Sequence, residues 1–293
     1  MDFLRTILEQ GMIYGILALG ILITYRILDF PDLTADGSFP LGAAVTAFCI
    51  TRGMNPYLAL PAAFCAGALA GVCTGLIHVK GKVRDLLSGI IMMTALWTIN
   101  LRIAGTSNVP LFSKDTIFKN NFTKEVLPES LRPYATLIII FLLTLVTKLI
   151  LDFYMESRSG YLLRAVGDND KLVTSLARDR GKMKILGLAI ANGLIALAGS
   201  IFCQEERVFE ISMGTGAMVI GLASVIIGTS IFKNRKILQT STVVIIGSII
   251  YKAGTGLAMR YFEPMDMKLI TSVFFLIVLL VSRERKKKVK TDA

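Results

Sequence analysis

RSGYLLRAVGDNDKLVTSLARDRGKMK, residues 158–184, is a stretch of twenty-seven residues with seven Lys or Arg, too polar to cross a bilayer. It stands between two apolar runs, 134–155 and 185–203, each about the length a helix needs to span a hydrocarbon layer roughly 30 Å thick at ~1.5 Å per residue. A polar insert of this size between two spans fixes the architecture: helices in a membrane, joined by short aqueous segments. Working outward, further apolar runs occur at 8–28, 38–52, 57–79, 86–104, 213–232, 238–255 and 267–282. The expected fold is an all-α polytopic membrane protein of eight to ten transmembrane helices, some of them broken or short. It forms one domain over residues 1–293, with no soluble unit left over.

Composition agrees. Of 293 residues 54% are hydrophobic and 18% charged, and the mean hydropathy is +0.64, which excludes an ordinary soluble domain. The net charge of +11 does not point to nucleic acid, because the basic residues collect in the connections. These are Lys80, Lys82 and Arg84; the seven in 158–184; Lys233, Arg235 and Lys236; and six in the tail 283–293. The positive-inside rule assigns all four to the cytoplasm, the C-terminus included, and places the loop 105–133 outside. The four cysteines lie within spans without metal-ligand spacing, and the single His78 reads as a packing residue.

The third span carries Ala63, Gly67, Gly71 and Gly75 every fourth residue, a smooth stripe for close helix packing. Two places interrupt the helices. In LDFPDLTADGSFPL (28–41), Pro31 and Pro40 remove helix hydrogen bonds, so unwinding is expected there. The second interruption is Gly-rich, beginning near Met213, with Gly214, Gly221 and Gly228 seven apart. Breaks in both halves point to a translocation pathway between two pseudo-repeated halves. Asp32, Thr34, Asp36 and Ser38, with Gly221, Ser224 and Gly228 opposite, are the candidates to line it. Two plainer roles stand beside this one: Asp36 or Thr34 capping the helix that starts near Ser38, and Asp29 pairing with Arg26. Lys148 and Asp152, four apart, are read as an ion pair, and Trp97, Asn100 and Arg102 as interfacial anchors or solute contacts.

Within the polar stretch, Gly160 is expected to open a short helix through Val166 that Gly167 ends, with Asp168 or Asn169 capping a second helix. The apolar stripe of that second helix, Leu172, Val173, Leu176 and Ala177, suits either a groove in a partner protein or the lipid surface. The sequence has no phosphate-binding G-x-x-x-x-G-K-[ST], no H-E-x-x-H and no G-x-S-x-G. No enzymatic activity or cofactor is therefore expected, and any ATP would be bound by another subunit.

The order of these motifs resembles the permease family of bacterial ABC importers for branched-chain amino acids and ribose-type sugars. Gly160, Arg164, Ala165, Gly167, Asp168 and Asn169 match that family's G-R-x-x-R/Y-A-x-G-x-N loop, departing at Tyr161. ILDFPDLTADGSFPLGAAV stands where the family has its broken helix, and IGLASVIIGTSIF is similar to its A-A-V-V-I-G-G-T-S-L block. The F-P-D-L-T-A-D-G-S-F wording is similar to permeases for tryptophan and tyrosine uptake. The resemblance implies a bacterial plasma-membrane importer subunit for an amino acid, with the loop 156–184 docking a cytoplasmic ABC ATPase. It also implies a second permease copy, an external solute-binding lipoprotein and surrounding membrane lipid as partners. An ion-gradient-driven secondary transporter or channel is the alternative.

Overall fold

The computed structural model describes residues 2–120, 134–168, 179–232, 239–258, 266 and 269–280. Among them are ten α-helices and almost no sheet: α1 Asp2–Ile21, α2 Ala35–Thr51, α3 Pro56–Val79, α4 Asp85–Ala104, α5 Ala135–Met155, α6 Arg158–Asp168, α7 Arg180–Glu206, α8 Ala217–Ile231, α9 Thr240–Ala258 and α10 Leu269–Leu280. Seven helical stretches are long and apolar enough to cross a membrane, and α2 and α10 are shorter. The chain is an all-α polytopic membrane protein.

Helices α1 and α7 form the core, and α4 and α5 turn most of their surface outward. The packing is matched between halves. A long helix, a break, a short helix and two further helices follow one another as α1 to α4 and again as α7 to α10. Each leading helix packs in the other half: α7 lies against α2 and α3, and α1 against α8 and α9. Small residues permit the contacts. Gly71 sits so close to α7 that a Cβ there would collide with the Leu188 carbonyl, and Gly67 and Gly75 meet Asn192 and Ile185 in the same way. Ala63 is fully buried on that stripe. On the other side, Gly11 and Gly15 of α1 abut Ile249 and Ser248 of α9.

Two three-residue strands tie the segment after α4 to the segment after α7, away from α6: β1 Asn108–Pro110 pairs antiparallel with β2 Val208–Glu210, in register Val109 to Phe209. Tyr14, Phe39 and Phe202 clasp α1, α2 and α7, with ring centroids 5.6–5.8 Å apart.

Candidate functional site

The first break is shorter than its prolines foretell. Below Ile21 the chain loosens into a π-helical turn, Leu22–Ile27, closed by Leu28 N–H to the Ile23 carbonyl and Phe30 N–H to the Thr24 carbonyl, both 2.9 Å. Asp29 then adopts φ 51, a left-handed conformation that ends the helix. It is exposed, and among the described residues it makes no ion pair with Arg26. Helix α2 resumes at Ala35 and runs through Pro40, whose missing N–H leaves the Asp36 carbonyl without its helical partner. Gly214 fills that place, with no room for a Cβ between the Asp36 carbonyl and the Pro40 ring.

Asp32 is the buried centre of the break. Its Oδ1 accepts from Thr34 N–H at 2.9 Å, which turns the chain into α2, and its Oδ2 accepts from Asn192 Nδ2 on α7 at 2.8 Å. Asn192 Oδ1 in turn accepts from Ser38 Oγ at 2.7 Å. Thr34 Oγ1 meets Thr74 Oγ1 of α3 at 3.0 Å, and Asn100 of α4 donates to the Gly37 carbonyl at 3.1 Å. Burying a carboxylate is costly unless it is hydrogen-bonded, and a hydrogen bond to a charged group returns about 1.5–3 kcal/mol, so the two bonds to Asp32 offset its burial. The arrangement pins an unwound segment from three sides.

Asp36 caps a helix, though a different one from that expected. Its Oδ1 accepts from Met218 N–H at 2.8 Å and its Oδ2 from Gly216 N–H at 3.1 Å, so it terminates α8 in the other half. Thr34, the residue before α2, makes no side-chain cap bond. Asp36 also lies in the first turn of α2, so one carboxylate faces the positive ends of two helix dipoles. The second break comprises β2, a 3₁₀ turn Ile211–Gly214 and Gly216 at φ 82. Beyond it, Gly221 admits the side chains of Leu17 and Ile21, Gly228 lies on the Val243 carbonyl, and Ser224 bonds back to the Ile220 carbonyl. These three residues are engaged in packing α8 against α1 and α9.

The short helix after α5 starts at Arg158, two residues before Gly160, and continues through Gly167 into Asp168. Gly160 is inside it, packed on the Tyr154 carbonyl, and Gly167 is no terminator: a Cβ there would overlap the carbonyl oxygen of Ile27. Both glycines are present for close approach. Leu163 and Val166 are buried against the bundle, Ala165 is partly buried, and Tyr161 and Arg164 are exposed. Gly187 of α7 receives Leu28 and Leu163 together. Thus α6 rests directly on the last residues before the break. Arg164 and Arg26 share a cleft of about 550 Å³ with Asp152 and Glu156. Asn169 and the stripe from Leu172 to Ala177 lie outside the described residues.

Lys148 and Asp152 do pair, at 2.9 Å. Trp97 is exposed, whereas Asn100 is wholly buried in the polar centre. Sequence reasoning passed over Asn192 and Thr74, although a lone amide inside the apolar run of α7 is the signal that could have found the first. It also missed Lys252, whose ammonium stands 3.7 Å from the Tyr14 ring centroid inside the α9 span.

The permease component of branched-chain amino acid transport systems, as a family, matches residues 3–282. The chain belongs to that permease family. The permease is 40% identical over 294 residues to a tyrosine transport system permease protein of Clostridioides difficile (strain R20291), covering 100% of this chain and 96% of that one. It is 28% identical to a probable branched-chain amino acid transport permease protein, LivH, of Methanocaldococcus jannaschii, over 74% of this chain and 70% of that protein. With the ribose import permease protein RbsC of Escherichia coli (strain K12) it shares 24% identity over 97% of this chain and 86% of that protein. Among solved structures, PsaBC from Streptococcus pneumoniae in complex with Fab superposes with a TM-score of 0.53 at 13% identity, covering 95% of this chain and 91% of that one, a likeness of fold. The permease is therefore a multi-pass transport subunit of the ABC importer class.

Proposed function

We propose that this chain is the membrane subunit of an importer for an aromatic amino acid, tyrosine or tryptophan, with no ATPase site of its own. Two copies form the pathway, an external binding protein delivers the solute, and a cytoplasmic ATPase docks on α6. The C-terminal tail is then cytoplasmic. The observation that carries the reading is the seat of α6: its apolar side rests on Ile27 and Leu28 while Tyr161 and Arg164 face away. A force on that exposed side reaches the Asp32 centre within a few residues of backbone. Asp32, Thr34, Asp36 and Ser38 act as the hinge of the pathway wall, and Gly221, Ser224 and Gly228 let α8 follow α1. Residues 160–169 supply the docking surface, with Arg164 as its charged contact.

Reconstitution with the ATPase and binding protein tests this. The wild type should accumulate L-tyrosine or L-tryptophan only with ATP, and Arg164→Glu should lower uptake at least tenfold while the permease remains folded in the membrane. Transport by the permease alone, driven by an ion gradient without nucleotide, would favour the secondary-transporter alternative instead.

A further inference from the structure

The cleft shared by Arg26 and Arg164 holds more positive charge than its own walls neutralise. It lies between the π-helical turn, the end of α5, α6 and the start of α9, and encloses about 550 Å³. That volume falls within the range of about 300–1,000 Å³ typical of small-molecule sites. Its floor is apolar and buried, formed by Leu22, Leu151 and Met155, whereas both arginines are exposed at its rim.

The wall between α5 and α9 is tied by charge that is already matched. Asp152 pairs with Lys148 at 2.9 Å and accepts from Ser241 Oγ at 2.5 Å, while Lys148 also donates to Gln239 Oε1 at 2.9 Å. Asp152 is thereby neutralised. Among the described residues, Glu156 is then the one lining carboxylate left over, against two guanidiniums that make no ion pair or hydrogen bond. Thr240 and Ser241 open α9 at the same cleft, so the positive end of a helix of 19 residues adds to the excess.

The two guanidiniums spring from neighbouring backbone. Gly167 packs on the Ile27 carbonyl, next to Arg26, and Arg164 lies three residues earlier, about 4.5 Å along α6. Unpaired like charges this near repel each other. One anion between them removes that repulsion and joins α6 to the turn, and a phosphate matches the guanidinium fork. The cleft also adjoins the outward surface of α5, where Leu149, Ile150 and Phe153 are 54%, 64% and 80% exposed. An anion carrying acyl chains finds an apolar track there, which a free phosphate cannot use.

We infer that this cleft binds an anionic phospholipid of the cytoplasmic leaflet, its phosphate on Arg26 and Arg164 and its acyl chains along α5. Basic pockets between spans on the cytoplasmic side are suited to such head groups. The inference rests on the importer reading, which places α6 in the cytoplasm.

Native mass spectrometry of the delipidated full-length permease, titrated with dioleoylphosphatidylglycerol or dioleoylphosphatidylcholine, tests the site. One phosphatidylglycerol per permease should be retained, with a half-saturating concentration about fivefold or more below that of phosphatidylcholine. Arg26→Gln should abolish the preference and Arg26→Lys should keep most of it, a contrast that misfolding would not produce. Lys80→Gln, at the same end of the bundle but outside the cleft, should leave it intact. A preference that survives Arg26→Gln, or that Lys80→Gln abolishes equally, would overturn the inference. Displacement of the lipid by equimolar sn-glycerol 3-phosphate would make this a site for free phosphates and overturn it too. So would a wild type without lipid preference whose Arg26→Gln variant no longer co-purifies with the ATPase, since the cleft would then belong to the motor. Binding needs neither ATP nor solute. An importer that moves tyrosine but shows no lipid preference removes this inference alone, and a permease with the preference that moves no amino acid removes the importer reading alone.

Discussion

Asp32 and Asn192 exchange a hydrogen bond between groups 160 residues apart, and the direction of that bond makes a specific demand on chemistry. The carboxylate only accepts, and the amide donates to it while accepting from Ser38. Asn192→Leu removes both functions, strands one buried carboxylate oxygen and should cost about 2–3 kcal/mol. Exchanging the pair, Asp32→Asn with Asn192→Asp, keeps one donor and one acceptor in register, because an amide oxygen in place of the Asp32 carboxylate can still accept from Thr34 N–H. Thermal unfolding in detergent should therefore show a clear loss for Asn192→Leu and near-recovery for the exchange. Equal damage in both would mean that the charge must sit at position 32. Local spacing predicts that Asp36 caps a helix, and it does; which helix it caps depends on a contact 180 residues away that no local rule contains.

At the scale of elements, spans were legible because apolar length is a local property: the runs read at 57–79, 86–104 and 134–155 agree with α3, α4 and α5 to within a residue. Glycines were legible where they repeat, as on α3, and misread where they stand singly. Gly160 and Gly167 look like helix boundaries by propensity, yet both lie within α6 because a neighbouring backbone leaves no space for a Cβ. That tightness has a consequence for Gly167→Ala. The added methyl would meet the Ile27 carbonyl, and relieving such overpacking costs about 1–3 kcal/mol and moves α6 off the π-helical turn that follows α1. ATPase co-purification and ATP hydrolysis should persist, with the solute moved per ATP reduced several-fold. Unchanged stoichiometry would show that this contact transmits nothing.

For the whole molecule, the exchange of leading helices means that neither half holds a complete core. α1 needs α8 and α9, and α7 needs α2 and α3. Cutting the chain between α4 and α5 and expressing residues 1–130 and 131–293 together should yield a complex that co-purifies through a tag on either fragment. Each fragment alone should be unstable, since its buried stripe of small residues would face lipid. A monodisperse 1–130 fragment on its own would contradict the interlocked arrangement. The reciprocal packing also bears on the Asp36 carboxylate. Because Asp36 belongs to α2 and its carboxylate caps the N-terminus of α8, either helix can shift only by dragging the other or by leaving the Gly216 and Met218 amides without their acceptor, at about 1 kcal/mol or more for the lost cap. Arrangements in which one of the two helices moves alone are thereby penalised.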